Sequence, residues 1–230
     1  MTIKENYFDI CEKVERVCLN CGRKKDDVKI IAVTKTRTVE EINQIIDAGV
    51  EIIGENRVQE LLEKYDGIDN RAQKHLIGQL QTNKVKYIID KVSLIHSLDR
   101  LSLAEQIEKT AKNKNLRPVN VLIEVNIGNE TTKSGILPDK LTEYLDILTK
   151  FRYINPKGLM TVAPATAGVE EQNVYFEKMF NLLEEGKKRF GNGFCELSMG
   201  MSRDYETAIK HGATMIRLGT ALFGERNYNK

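Results

Sequence analysis

A lysine stands where an apolar run gives out: Ile30-Ile31-Ala32-Val33 leads into Thr34-Lys35-Thr36-Arg37. If the run is a strand, side chains alternate along it, and Ile31, Val33 and Lys35 share one face. An inward lysine at the mouth of a sheet is partly desolvated. Desolvation disfavours the ammonium and leaves a neutral amine that can attack a carbonyl and form an imine. The competing interpretation is a loop lysine whose head snorkels into water. Lys133, in a polar loop, and Lys157, ahead of Gly158-Leu159-Met160, end no apolar strand so cleanly.

Two glycine-bearing runs near the end of the chain suit an anion. They are Ser198-Met199-Gly200-Met201-Ser202-Arg203-Asp204 and Arg217-Leu218-Gly219-Thr220-Ala221-Leu222-Phe223-Gly224. Gly200 and Gly219 allow backbone amides to come close to a ligand. Ser202 and Thr220 carry hydroxyl donors, and Ser202 precedes a helical pattern whose free N–H groups favour negative charge. A plain helix cap at Ser202 and a packing glycine at Gly219 are the alternatives. Amides and charges also gather in Gly54-Glu55-Asn56-Arg57 and in Gly78-Gln79-Leu80-Gln81-Thr82-Asn83-Lys84, whereas His75 reads as a core histidine. Cys18-Leu19-Asn20-Cys21 is a C-x-x-C, but a structural zinc needs four ligands and no second pair follows. Free thiols near a helix end, and no metal, are expected.

These groups need elements to hold them. Short apolar runs at Lys29–Val33, Ile52–Gly54, Lys74–Ile77, Leu94–His96, Asn120–Val125, Ile154–Leu159, Cys195–Ser198 and Thr214–Leu218 read as eight strands. Amphipathic segments separate them: Thr38–Ala48, Asn56–Tyr65, Asn83–Asp90, Ser97–Lys114, Pro138–Lys150, Glu170–Phe190 and Arg203–His211. The first of these opens with the capping box Thr38-Val39-Glu40-Glu41. Another helix is expected ahead of the first strand, over residues 5–20. Strands that are apolar at nearly every position are buried on both faces, as in a parallel sheet covered by helices. The expectation is α/β: a single (β/α)8 TIM barrel with an extra N-terminal helix, one domain over residues 1–230. In such barrels chemistry sits where strands end, and phosphate often binds at the loops after the last two strands. A doubly wound open sheet is the competitor, weakened by the lack of a glycine-rich turn after the first strand.

With 230 residues, 41% of them hydrophobic and 30% charged, the composition is that of a globular chain. Lysines and arginines number 35 against 33 acidic residues, a net +2 that points to neither nucleic acid nor an anionic membrane as partner. No apolar run approaches the roughly 18 residues of a membrane span. The N-terminus does not read as a secretory signal, so a cytoplasmic location is expected.

The quoted runs carry a specific likeness. Val33-Thr34-Lys35, Gly54-Glu55-Asn56 with Gln59-Glu60, and His75-Leu76-Ile77-Gly78 with Leu80-Gln81-Thr82-Asn83-Lys84 form one half. Gly158-Leu159-Met160, Leu197 to Asp204, and Arg217 to Arg226 form the other. Together they resemble the pyridoxal phosphate homeostasis protein family across residues 30–226. The resemblance implies a fold-type III pyridoxal phosphate barrel related to the N-terminal domain of alanine racemase. It implies that Lys35 holds pyridoxal 5′-phosphate as an aldimine. Ser202, Gly219 and Thr220 would hold the phosphate, Arg217 would face the pyridine nitrogen, and Asn56 and Met199 would line the site, with Met201 beside it. The implied role is intracellular vitamin B6 homeostasis, with PLP-dependent apoenzymes or other B6 vitamers as possible partners.

Arginine is always protonated, so an Arg217 donor leaves the pyridine nitrogen without a proton and weakens the ring as an electron sink. Racemisation needs acid–base groups on both faces. The related racemases draw the opposing tyrosine from a second domain and a dimer partner, neither of which is expected here. Tyr205 follows the serine loop but ends no strand. A monomeric carrier with no or weak catalysis is therefore expected; a small PLP-dependent amino-acid racemase is the alternative.

Overall fold

The computed structural model describes residues 2–225, so Arg226 lies outside the described residues. Eight parallel strands close on themselves: β1 (Lys29–Val33), β2 (Ile52–Glu55), β3 (Gln73–Leu76), β4 (Leu94–Leu98), β5 (Val119–Glu124), β6 (Ile154–Met160), β7 (Glu196–Ser198) and β8 (Met215–Leu218). The seam is β8 against β1, with Ile31 beside Arg217 and Ala32 beside Leu218. The helices between strands are α2 (Val39–Asp47), α3 (Val58–Lys64), α4 (Val85–Ile88), α5 (Leu101–Asn113), α6 (Leu141–Leu148), α7 (Val169–Phe190) and α8 (Tyr205–Lys210). Helix α1 (Ile3–Asn20) precedes the barrel and the short α9 (Thr220–Phe223) follows it.

Alternation along each strand builds two separate cores. Ala32, Ile53, Leu76, Ile95, Ile123, Leu159, Leu197 and Ile216 point outward into one large apolar layer beneath the helices. Ile31, Ile52, Leu94, Leu122, Met160 and Met215 pack inside the barrel. Burying each large aliphatic side chain contributes about 1.5–3 kcal/mol, which is what holds the layers together. The barrel interior is not wholly apolar, because His75, His96, Ser198 and Arg217 are also buried there.

Local chemistry sets the helix starts. Thr38 Oγ1 accepts the Glu41 amide at 3.3 Å and the Glu41 carboxylate accepts the Thr38 amide at 2.9 Å, the expected capping box. Helix α1 starts with a second box, Thr2 with Glu5, and buries Ile10, Cys11, Val14, Val17 and Cys18. It packs on α2, α8 and α9, and Asn6 Nδ2 donates to the Leu222 carbonyl at 2.9 Å. Cys18 is thus a core side chain, while Cys21 Sγ lies against the Val17 carbonyl at 3.1 Å. Several helices are shorter than their sequence pattern: α3 begins at Val58 rather than Asn56, and α8 at Tyr205 rather than Arg203. Among the described residues no helix is long and apolar enough to cross a membrane.

Candidate functional site

The C-terminal ends of β1, β6, β7 and β8 surround a cavity of about 410 Å³. Lys35, Ser202, Arg217, Gly219 and Thr220 all line it, together with Val33, Ala163, Pro164, Met201, Asp204 and others. The lysine and the two glycine-bearing loops, far apart in sequence, therefore face one cup.

Lys35 is half-buried two residues past β1. The chain turns sharply just after it: Thr36 has φ 65°, a left-handed conformation that costs a β-branched residue energy. A polar cluster holds that turn. The Thr36 amide donates to the Glu60 carboxylate, and Lys64 Nζ reaches Glu60 at 2.6 Å, Glu55 at 3.2 Å and the Thr34 carbonyl at 3.2 Å. Thr34 Oγ1 adds a hydrogen bond to Glu55 Oε1 at 2.8 Å. Glu55 is fully buried, and burial raises its pKa against the pull of Lys64. The second half of the Gln59-Glu60 motif is thus a clamp on the lysine loop.

Arg217 forms the floor. It is 5% exposed, with Nη1 donating to Ser198 Oγ at 2.6 Å and Nη2 to the Thr161 carbonyl at 2.7 Å. Among the described residues no carboxylate lies within 4.0 Å of it. Burial pushes its pKa down to about 10, while Asp204 and Glu124 pull it up from a distance. A buried guanidinium with only neutral partners favours a lone pair or an anion in the cup.

At the rim, Gly200 has φ 91° and a Cβ there would come within 2.7 Å of Ala208 Cβ, so the loop after β7 requires glycine for the fold itself. Gly219 differs. Its φ is −112° and an added Cβ would lie 3.6 Å from Val33 Cβ, so neither strain nor crowding within the chain demands glycine. The missing side chain keeps the backbone at the start of α9 open to the cup, where a helix's first amides have no partner within the helix. Ser202 Oγ accepts the Ala221 amide at 3.3 Å, which leaves its hydroxyl hydrogen for a further acceptor. The Asp204 carboxylate accepts the Met201 amide at 2.6 Å and shapes this loop; burial raises its pKa.

Two expected site residues are elsewhere. Met199 is completely buried in the layer beneath the helices, because Ser198 points into the barrel and its neighbours Leu197 and Met199 must point out. Met201, two residues on, faces the cup and is 38% exposed. Asn56 lines a different cavity, of about 250 Å³, with Arg57, Gln59, Gln79, Gln81 and Lys84. Thr161, Pro164 and Asp204 were not expected at the site. The signal for Ser198 and His96 was a polar residue next in sequence to an outward-facing apolar one, Leu197 and Ile95, so that alternation turns it inward.

This geometry can offer an amine to an electrophilic carbon, a cation to a ring nitrogen, and hydroxyl and amide donors to an anion. Known proteins share the sequence and the fold that build it. The model of the alanine racemase N-terminal domain matches residues 14–227. The pyridoxal phosphate homeostasis protein of Aquifex aeolicus is 42% identical over 229 residues, 99% of this chain and 100% of that one. A crystal structure of an unknown protein from Bifidobacterium adolescentis superposes with a TM-score of 0.91 at 33% identity, covering 96% of this chain and 94% of that one. PipY of Synechococcus elongatus, solved with PLP bound, superposes with a TM-score of 0.80 at 31% identity, covering 92% of this chain and 99% of that one. The chain therefore belongs to the alanine racemase N-terminal domain family, and within it to the pyridoxal phosphate homeostasis proteins.

Proposed function

We propose that the protein binds pyridoxal 5′-phosphate in this cup, bonded to Lys35, and serves intracellular homeostasis of that cofactor with no or weak catalysis. The observation that carries the proposal is the meeting of Lys35, Arg217, Ser202, Gly219 and Thr220 around one cavity of about 410 Å³. When bound, the cofactor supplies an electrophilic aldehyde and an electron-withdrawing ring. Lys35 supplies the amine. Ser202 and Thr220 donate hydroxyl hydrogens to the phosphate, and Gly219 lets the backbone approach it. Arg217 donates to the ring nitrogen and, being charged, keeps a proton off it. That arrangement weakens the ring's ability to stabilise a carbanion and suits holding and handover.

The whole chain is taken to work as one cytoplasmic, monomeric unit whose partners are apoenzymes or other B6 vitamers. An amino-acid racemase on the same barrel is the alternative. It requires a second proton-carrying group opposite Lys35. Among the described residues no tyrosine lines the cup, and Tyr205 is buried with its hydroxyl 3.4 Å from Glu206.

The test is reduction with borohydride after incubation with the cofactor, followed by peptide mapping. The adduct is expected on Lys35 and absent from Lys35→Ala; an adduct elsewhere, or none, overturns the assignment. Deuterium exchange at Cα across a panel of amino acids is expected to be absent, and exchange would favour the racemase.

A further inference from the structure

We propose that Ser198, His96 and His75 form a one-way hydrogen-bond relay along the barrel axis, which positions Arg217 in the cup and ends as a donor in a second cavity on the opposite face. The relay's functional meaning rests on the cofactor assignment above; its existence does not.

The chain of contacts is continuous. Arg217 Nη1 lies 2.6 Å from Ser198 Oγ, Ser198 Oγ 3.1 Å from His96 Nδ1, and His96 Nε2 3.0 Å from His75 Nδ1. Ser198 and His96 are wholly buried and His75 is 3% exposed. His75 borders a cavity of about 370 Å³. That cavity is lined by the first residues of six strands: Lys29, Ile52, Gln73, Leu94, Glu196 and Met215. It therefore lies at the N-terminal end of the barrel, opposite the cup.

Hydrogen-bond chemistry gives the relay its direction. A guanidinium only donates, so Ser198 Oγ accepts from Arg217. Ser198 has one hydroxyl hydrogen and, among the described residues and apart from Arg217, one side-chain hydrogen-bond partner, His96 Nδ1. Pointing that hydrogen anywhere else would bury an unpaired donor. His96 Nδ1 is then an acceptor, and a neutral imidazole carries its proton on the other nitrogen. His96 Nε2–H donates to His75 Nδ1, and His75 holds its own proton on Nε2, toward the basal cavity. Both rings must be neutral. Burial opposes their charging, as do the cations that face them, Lys29 toward His75 and Arg217 toward His96.

The consequence concerns Arg217. Its charge is anchored by a neutral acceptor whose orientation is fixed three residues deep. A carboxylate in place of Ser198 would neutralise the guanidinium and change what it offers a ring nitrogen. His96 and His75 are thus positioning residues: they touch no ligand and act through Ser198.

The test is ¹⁵N NMR of histidine-labelled protein prepared without cofactor, between about pH 5 and 8, where an ordinary imidazole titrates. The relay requires neutral Nε2–H tautomers for both His75 and His96 across that range. An Nδ1–H tautomer or a charged ring at either position overturns it. A second arm uses cofactor-loaded protein. Asparagine can reproduce the Nδ1 acceptor and leucine cannot. His96→Leu is expected to shift the bound cofactor's absorption and speed its dissociation about tenfold, with His96→Asn restoring both; identical behaviour of the two variants refutes the positioning role. If the wild type takes up no cofactor, the functional proposal fails and the tautomers alone decide the relay.

Discussion

Ser202 Oγ accepts a hydrogen bond from the Ala221 amide at 3.3 Å, so the loop after β7 and the helix after β8 are fastened together at the rim of the cup. The serine's hydroxyl hydrogen remains available to an anion there. Ser202→Ala removes one charge-assisted hydrogen bond, worth about 1.5–3 kcal/mol. Cofactor affinity, measured by fluorescence titration, is expected to fall by roughly ten- to a hundredfold. Unchanged affinity would mean that the phosphate sits elsewhere.

Gly219→Ala separates packing from binding. The backbone there is not left-handed, and the nearest atom to a new Cβ would be Val33 Cβ at 3.6 Å, an ordinary contact. Urea unfolding of the variant without cofactor is expected to match the wild type within about 0.5 kcal/mol. The new methyl group would stand at the opening of α9, where the cup admits the ligand. Cofactor affinity should therefore fall while stability does not. Loss of stability with affinity intact would assign the glycine to packing.

Much of this site was legible in the sequence because barrel strands advertise themselves. The run Ile30-Ile31-Ala32-Val33 had to be buried on both faces, and the residues after it had to lie at a mouth. Lys35 and the loops at Ser202 and Gly219 followed from that frame. Met199 was misplaced for a reason equally elementary: strand alternation makes Ser198 and Met199 opposites, and the polar one points inward. The clamp on Thr36 was hidden, since Glu60 and Lys64 are brought to it by the packing of α3, which no local pattern encodes. The His75–His96 contact was hidden too. It joins residues 21 apart on adjacent strands, and relative strand register is not written in apolar periodicity.

That clamp makes its own prediction. The Glu60 carboxylate accepts from the Thr36 amide and from Lys64, and these partners hold its pKa below the ordinary value although burial works the other way. Glu60→Ala frees the left-handed Thr36 turn and leaves Lys64 with Glu55 and the Thr34 carbonyl. Stability in urea is expected to drop by about 1.5–3 kcal/mol, the range for a hydrogen bond to a charged group. Borohydride labelling of Lys35 at limiting cofactor should slow by more than that loss of folded protein explains. If labelling keeps its wild-type rate, the clamp does not set the lysine's position.

Acid should destabilise the barrel through its axial histidines. Burial lowers the His75 pKa from 6.5 to about 3, with Lys29 adding to the effect, and burial also drives His96 well below its ordinary value. Unfolding returns both rings to water, so the unfolded chain binds protons that the folded chain refuses. The stabilisation is complete above pH 6.5 and is lost as pH falls toward about 3. Over that interval the slope approaches roughly 1.4 kcal/mol per pH unit for each histidine. Urea unfolding of the wild type and His75→Asn across the interval isolates the contribution, because the buried carboxylates Glu55 and Asp204 titrate in both proteins and cancel in the difference. The variant is expected to lose stability less steeply on acidification. Parallel curves would show that His75 titrates in the folded barrel as it does in water.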